Sequence, residues 1–202
     1  MTLIAKDSSE TKFAKFPLPE AGTTQAVCCA VWDLGLQQTM YKNDDGTDKV
    51  QHKLIIAWEI VQKIDAPESE YHGKPYMLSK KYTLSLGEKA NLRKDLESWR
   101  GRPFTADELK GGFDIEKLYG INCFIGIKHD ADRNDASKVY ANVSAILPLP
   151  KGTEKITPLR ARDEAPPKWV LEKQAQAIAE PSDDFPAMTE GQDEFPNDDP
   201  PY

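Results

Sequence analysis

Residues 85–103 read SLGEKANLRKDLESWRGRP, and the fold turns on them. Ser85 and Glu88 stand at capping-box spacing. Leu92, Leu96 and Trp99 follow at i, i+4 and i+7, on one face of a helix. Gly101 and Pro103 close it. A second capping box, Thr105 and Glu108, opens a short helical turn ended by Gly111-Gly112, and residues 114–119 make a further turn before Gly120. This is the one strongly periodic helix in the chain, so its place among the strands carries the topology.

Three strand-like segments precede the helix. Residues 25–38 (QAVCCAVWDLGLQQ) are short-branched and apolar, with Gly35 inside, and read as a strand that bends. After the turn signal Asn43-Asp44-Asp45-Gly46 comes a second, residues 50–63 (VQHKLIIAWEIVQK). A polar loop then leads to a third, residues 74–86, rich in Tyr, Thr and Lys. Two more follow the helix. Residues 121–130 (INCFIGIKHD) place Ile121, Cys123, Ile125 and Ile127 on one side. Residues 138–147 place Val139, Ala141, Val143 and Ala145 on one side, and Pro148 and Pro150 end them. Five strands with a helix between the third and fourth is the order of an OB-fold. The expected fold is therefore mainly β: a five-stranded OB-fold-like Greek-key barrel with one helix between strands 3 and 4.

The flanks divide the rest of the 202 residues. Residues 1–24 are a polar N-terminal arm, 25–150 the barrel, 151–177 a basic linker with Pro158, Pro166 and Pro167, and 178–202 an acidic tail. A short helix is expected from Trp169 to Ala179. The tail, IAEPSDDFPAMTEGQDEFPNDDPPY, holds eight of the 33 carboxylates, five prolines and no cation. It cannot bury enough surface to offset its ordering entropy, and disorder is the expectation. Without those eight, 25 carboxylates face 26 cations, so the acidic balance of the whole belongs to the tail and a basic face fits the body. Acidic pairs followed by aromatics and prolines recur at Asp183-Asp184-Phe185, Asp193-Glu194-Phe195 and Asp198-Asp199 with Tyr202, the pattern of a peptide that a partner grips.

Enzyme signatures are missing from the sequence: no Walker loop, HExxH, GxSxG or Cys/His metal spacing. His52, His72 and His129 are scattered, and residues 130–135 read as a solvated hairpin loop. No catalysis, cofactor or metal is expected. Cys28, Cys29 and Cys123 suit small buried residues in a reducing compartment. The N-terminus lacks a signal-peptide core and no apolar run approaches ~20 residues, so a cytoplasmic protein without membrane contact is expected.

A face for single strands needs aromatics to stack and cations along the backbone path. The first two strands offer Trp32, Lys49, Lys53 and Trp58, the third Tyr76, Lys80, Lys81 and Tyr82, and the last two Phe124, Lys128 and Tyr140. Period-two alternation turns Phe124, Lys128 and Tyr140 away from the core. Trp32 and Trp58, flanked by apolar residues, read as core or as stacking platforms. Arg100 and Arg102 bracket Gly101 and read either as helix-end cations or as a phosphate cradle.

Together these features resemble the single-stranded DNA-binding proteins of bacteria and phages. Bacterial members close an acidic tail on an Asp-Asp-Ile-Pro-Phe-like peptide, and this chain ends Asp198-Asp199-Pro200-Pro201-Tyr202, with Pro for the aliphatic residue and Tyr for Phe. Residues 26–36, 58–59, 81–86 and 99–105 are similar to phage-encoded proteins of replication and recombination neighbourhoods, which would place the chain in a bacterial host cell. The resemblance implies sequence-independent binding and protection of single-stranded DNA in replication or recombination. It also implies a tail, through Asp183, Asp184, Phe185, Asp193, Glu194, Phe195, Asp198, Asp199 and Tyr202, that recruits replication or recombination proteins. Self-association is compatible with it. The alternative is a non-enzymatic phage adaptor whose acidic tail binds a replication or repair partner.

Overall fold

The computed structural model describes residues 17–132, 135 and 138–178. Five antiparallel strands, β1 (Gly22–Lys42), β2 (Asp48–Lys63), β3 (Pro75–Thr83), β4 (Asn122–Ala131) and β5 (Val139–Pro148), form one sheet in the order β3-β2-β1-β4-β5. Helices α1 (Asn91–Arg100) and α2 (Ala106–Gly111) and a 3-10 turn (Ile115–Leu118) lie between β3 and β4. Helix α3 (Lys168–Gln174) follows β5.

β1 organises the sheet because it pairs on both edges. Its first residues, Gly22–Val27, meet β4, while from Ala26 onward it runs beside β2. Cys29 and Leu34 are skipped in the β1–β2 register, and such bulges bend a strand. Just past the second, Gly35 takes φ +65°, where a side chain would strain the backbone, and its N–H donates to Asp33 Oδ1 at 2.8 Å.

β3 and β5 are the edges, and no ladder joins them among the described residues, so the sheet is not closed into the barrel that the sequence predicts. α1 lies against both strands. Asp95 accepts from Lys80 Nζ at 2.8 Å and Tyr82 Oη at 2.7 Å on β3, and Ser98 Oγ donates to Ile146 O at 2.5 Å on β5. Leu92, Leu96 and Trp99 face inward as their spacing requires, joining Leu54, Ile56, Trp58, Tyr82, Ile125 and Ile146 in the main core. The helix ends where the sequence says: Gly101 at φ +68°, with the N–H groups of Gly101 and Arg102 on the carbonyls of Ser98 and Glu97.

Its start differs from the expectation. Ser85 Oγ accepts from the N–H of Gly87 at 3.1 Å, a local turn that ends β3 at Thr83, and α1 opens at Asn91 without a side-chain cap. The second capping box is present, with Glu108 N–H on Thr105 Oγ1 at 3.2 Å and Thr105 N–H on Glu108 Oε2 at 2.9 Å. Two alternation expectations also fail at their ends. Ile121 precedes β4 and is 47% exposed. In β5 a bulge at Ser144 breaks the series, so Ile146 rather than Ala145 takes the buried place after Val143, and Val139 is exposed. Gly126 lies opposite this bulge, and a Cβ there would come within 2.8 Å of Ser144 Oγ.

Residues 153–177, expected as linker and short helix, lie along the outer face of the sheet as a strap that Ile178, expected in the disordered tail, extends by bridging to Leu36; the helix expected to run to Ala179 stops at Gln174. Its first half is fastened by two buried polar side chains. Asn122 exchanges bonds with Ile156 (Nδ2 to O and N to Oδ1, both 2.9 Å). Glu59 accepts from the N–H groups of Leu159 at 2.5 Å and Arg160 at 3.0 Å. Further on, Val170 of α3 is fully enclosed in a second apolar cluster with Cys29, Ala30, Trp32, Leu34, Ile55 and Ala57. β1 and β2 are thus buried on both faces, which their unbroken apolar runs require.

Candidate nucleic-acid interface

Four of the thirteen candidate residues turn inward. Trp58 is 0% exposed and packs against Trp99 at 5.8 Å between centroids; its Nε1 meets no acceptor among the described residues. Tyr82 is equally enclosed, with its hydroxyl on Asp95. Tyr76 is buried and donates to Pro17 O at 2.7 Å. Lys80 sits over the Tyr82 ring at 5.5 Å and is ion-paired to Asp95. No base can stack on these rings without opening the core. Sequence alternation points the same way, since Leu54, Ile56 and Trp58 share one face of β2 with Tyr82 and Lys80 opposite Leu54 and Ile56 on β3.

Arg100 and Arg102 are helix-end cations that share one carboxylate, and the buried Arg100 Nη1 meets no acceptor among the described residues. Glu108 takes a bidentate grip from Arg102 (2.7 and 3.0 Å) and a bond from Arg100 Nη2. Those partners, Arg102 first and the Thr105 N–H next, hold the Glu108 carboxyl far below its usual range. The Arg100 guanidinium lies 4.2 Å from the Phe104 ring centroid and 5.8 Å from that of Phe113. A phosphate at this place has to displace Glu108.

The outer face brings other candidates together. Register pairs Trp32 with Ile55 and Ile55 with Lys81, so the three form one row across β1, β2 and β3. In the next row Lys53 stands between Gly35 and Thr83 and donates to Thr83 Oγ1 at 2.7 Å. The strap covers the β1 end of the first row: the Trp169 and Trp32 rings meet at 90° with centroids 5.8 Å apart, and the Arg160 guanidinium lies 5.3 Å from the Trp32 ring. Lys81, on β3, is half-buried at the uncovered end.

Two further patches flank this face. The β1–β2 hairpin carries Lys49 with Met40, Tyr41 and Val50; Met40 is 83% exposed. None of those three apolar residues was a candidate, although three large side chains around the turn at residues 43–46 were the signal. On β4–β5, Tyr140 is 46% exposed opposite Asp130, Lys128 is exposed and paired with Asp130 at 2.5 Å, and Phe124 is half-buried between Gln25 and Leu147.

Burial raises the Cys28 thiol to about 12, with Cys123 adding to it, and raises Cys123 to about 12 and Cys29 further still. All three stay protonated and unreactive at neutral pH. Among the described residues no group of three or more His, Cys, Asp or Glu side chains is arranged to hold a metal ion. No helix among them is long and apolar enough to cross a membrane. The tail candidates Asp183, Asp184, Phe185, Asp193, Glu194, Phe195, Asp198, Asp199 and Tyr202 lie outside the described residues. No family model matches the chain, and no curated protein matches it.

Proposed function

We propose that this chain binds single-stranded DNA without sequence preference, on a five-stranded Greek-key body of the OB type. The observation that carries the reading is the strand arrangement. β1 is shared between β2 and β4, β3 and β5 stand at the two edges, and the helix between β3 and β4 lies against both. In OB-folds the strand 2–3 face and the loops joining strands 1–2 and 4–5 take up oligonucleotides. The corresponding parts here are the outer β2–β3 face with Lys81 beside the buried Lys53, the hairpin with Tyr41 and Lys49, and the β4–β5 end with Tyr140 and the Asp130-paired Lys128. These are the stacking rings and cations that a single strand needs. The acidic, aromatic-proline tail is proposed to recruit replication or recombination proteins.

The test is quenching of tryptophan fluorescence by oligo-dT at low and moderate salt. Binding that weakens with salt is expected, reduced about 5-fold or more by Tyr140→Ala, from the ~1–3 kcal/mol of one stacked base. Lys81→Glu should lower affinity and flatten the salt dependence. Absence of binding at low salt refutes the reading. The pairing of Lys80, Arg100, Arg102 and Lys128 with carboxylates favours a second reading in that case, an adaptor working through its tail.

A further inference from the structure

The two halves of the strap are held differently. Up to Arg160 it is fastened to Asn122 and Glu59 through backbone bonds that leave nothing loose. Beyond Arg160 it parts from the sheet, with Arg162 reaching Glu116 (O at 3.4 Å, Oε2 at 3.6 Å) and lying 5.7 Å from the Tyr119 ring across the gap. A cavity of about 290 Å³ separates Val31, Trp32 and Tyr119 from Arg162, Ala165 and Pro166. Pro167 follows and α3 returns to the surface for seven residues, well short of the ~12–15 an isolated helix needs. Val170 is its one buried side chain, and no side chain caps its start. Three backbone-directed bonds complete its attachment: Gln174 Nε2 to Asp33 O at 2.7 Å, Gln37 Nε2 to Lys173 O at 3.1 Å, and Ile178 N–H to Leu36 O at 2.8 Å.

What this half covers is the Trp32 end of the row that runs to Lys81. It covers Trp32 with an aromatic ring set at a right angle to it, Trp169, while Arg160 on the fastened half lies over the same indole. Departure of the cover removes Trp169 and leaves Trp32 beside the Lys81 row and under Arg160, whose guanidinium is held by Glu164 (Oε1 at 2.8 Å, O at 3.0 Å) and Ala165 O and turns to phosphate as those bonds part with the cover. A base arriving there replaces one aromatic contact by another.

We propose that residues 161–178 are a hinged cover, turning at the stand-off between Arg160 and Pro167, and that a base of single-stranded DNA takes the place of Trp169 on Trp32. The hinge rests on packing alone; the ligand rests on the nucleic-acid reading above. Locking is available at the antiparallel bridge Leu36–Ile178, where the pair Leu36→Cys and Ile178→Cys is placed for a cross-strand disulfide, the native cysteines being buried. Val170→Asp does the opposite and undocks α3.

Hydrogen exchange on the unmodified full chain, without DNA, reads the hinge. The amides of Leu171 and Ala175 should exchange at least 100-fold faster than those of Ile55 and Ile56, and the disulfide should close that gap. Equal protection of α3 and β2 overturns the cover. Oligo-dT titration reads the gating: oxidised double-cysteine protein should bind at least 10-fold more weakly than the same protein reduced, and Val170→Asp several-fold more tightly than the parent. Binding that is unchanged by the lock overturns the gating. No binding in any form, with α3 still exchanging early, refutes the nucleic-acid reading and leaves the hinge standing.

Discussion

Replacing Glu59 by alanine removes the acceptor for two backbone N–H groups, those of Leu159 and Arg160, at a site that is 7% exposed. Hydrogen bonds to a charged acceptor contribute about 1.5–3 kcal/mol each, and a buried donor left without a partner costs about 1–3 kcal/mol. Loss of the carboxylate also relieves its own desolvation, which offsets part of the sum. A net destabilisation of about 3 kcal/mol is expected, near a 100-fold change in the folding equilibrium. In urea, with a slope of about 2 kcal/mol/M, the midpoint should fall by about 1.5 M at unchanged slope. On heating the melting temperature should drop by about 6–12 °C. Glu59→Gln keeps one acceptor oxygen and should lose roughly half as much. A Glu59→Ala protein within about 0.5 kcal/mol of the parent would refute the claim that this carboxylate fastens the strap.

Three further outcomes are expected. Trp58→Ala should cost about 3–5 kcal/mol in chemical denaturation; Trp58→Phe should cost much less, because it also removes an indole N–H that lacks an acceptor. Glu108 is held below its usual value of 4.5 by Arg102 and the Thr105 N–H, so its ionised form stabilises the fold at neutral pH. That contribution is lost as pH falls from 4.5 through its lower folded value, so the melting-temperature gap between parent and Glu108→Gln, open at pH 7, should narrow on acidification below 4.5. On the proposed function, deleting residues 179–202 should raise oligo-dT affinity by removing eight carboxylates and should abolish the proposed recruitment of replication proteins; a truncated chain unchanged in both would reduce the tail to a solubilising segment.

How far the sequence carried depended on whether a feature was written in side chains or in backbone. Leu92, Leu96 and Trp99 are spaced for one helical face and do face the core, and Thr105 with Glu108 closes a capping box on side-chain chemistry alone. Ser85 has the same spacing to Glu88, but its hydroxyl is taken two residues on, at Gly87, a competition that spacing does not reveal. The bulge at Ser144 shifts the parity of β5 without any residue that announces it. Trp32 and Trp58 have similar neighbours in sequence and end on opposite faces, one under the strap and one inside. The strap was hidden because what it offers Glu59 and Asn122 is main chain, which every sequence possesses. One signal did exist: Leu54-Ile55-Ile56-Ala57-Trp58 is apolar on both faces of a strand, and something outside the sheet has to cover the second.

Because β1 is the strand that β2, β4 and the strap all need, the order of synthesis matters to its safety. β1, β2 and β3 are neighbours in sequence and can associate as soon as they are made, but the β4 partner of Ala26 is Cys123, and the cover of Trp32 comes with Val170. At about 5–20 residues per second, the interval between the end of β3 and the end of β4 is roughly 2–10 s, and the strap arrives about as long again after that. Throughout, a nascent three-stranded meander displays an unpaired edge and an apolar outer face, the two features that invite pairing with another chain. Slower translation downstream of β3 should therefore increase aggregation of this protein on polysomes, and chaperones that shield strand edges should be needed most in the window before residue 131 is reached.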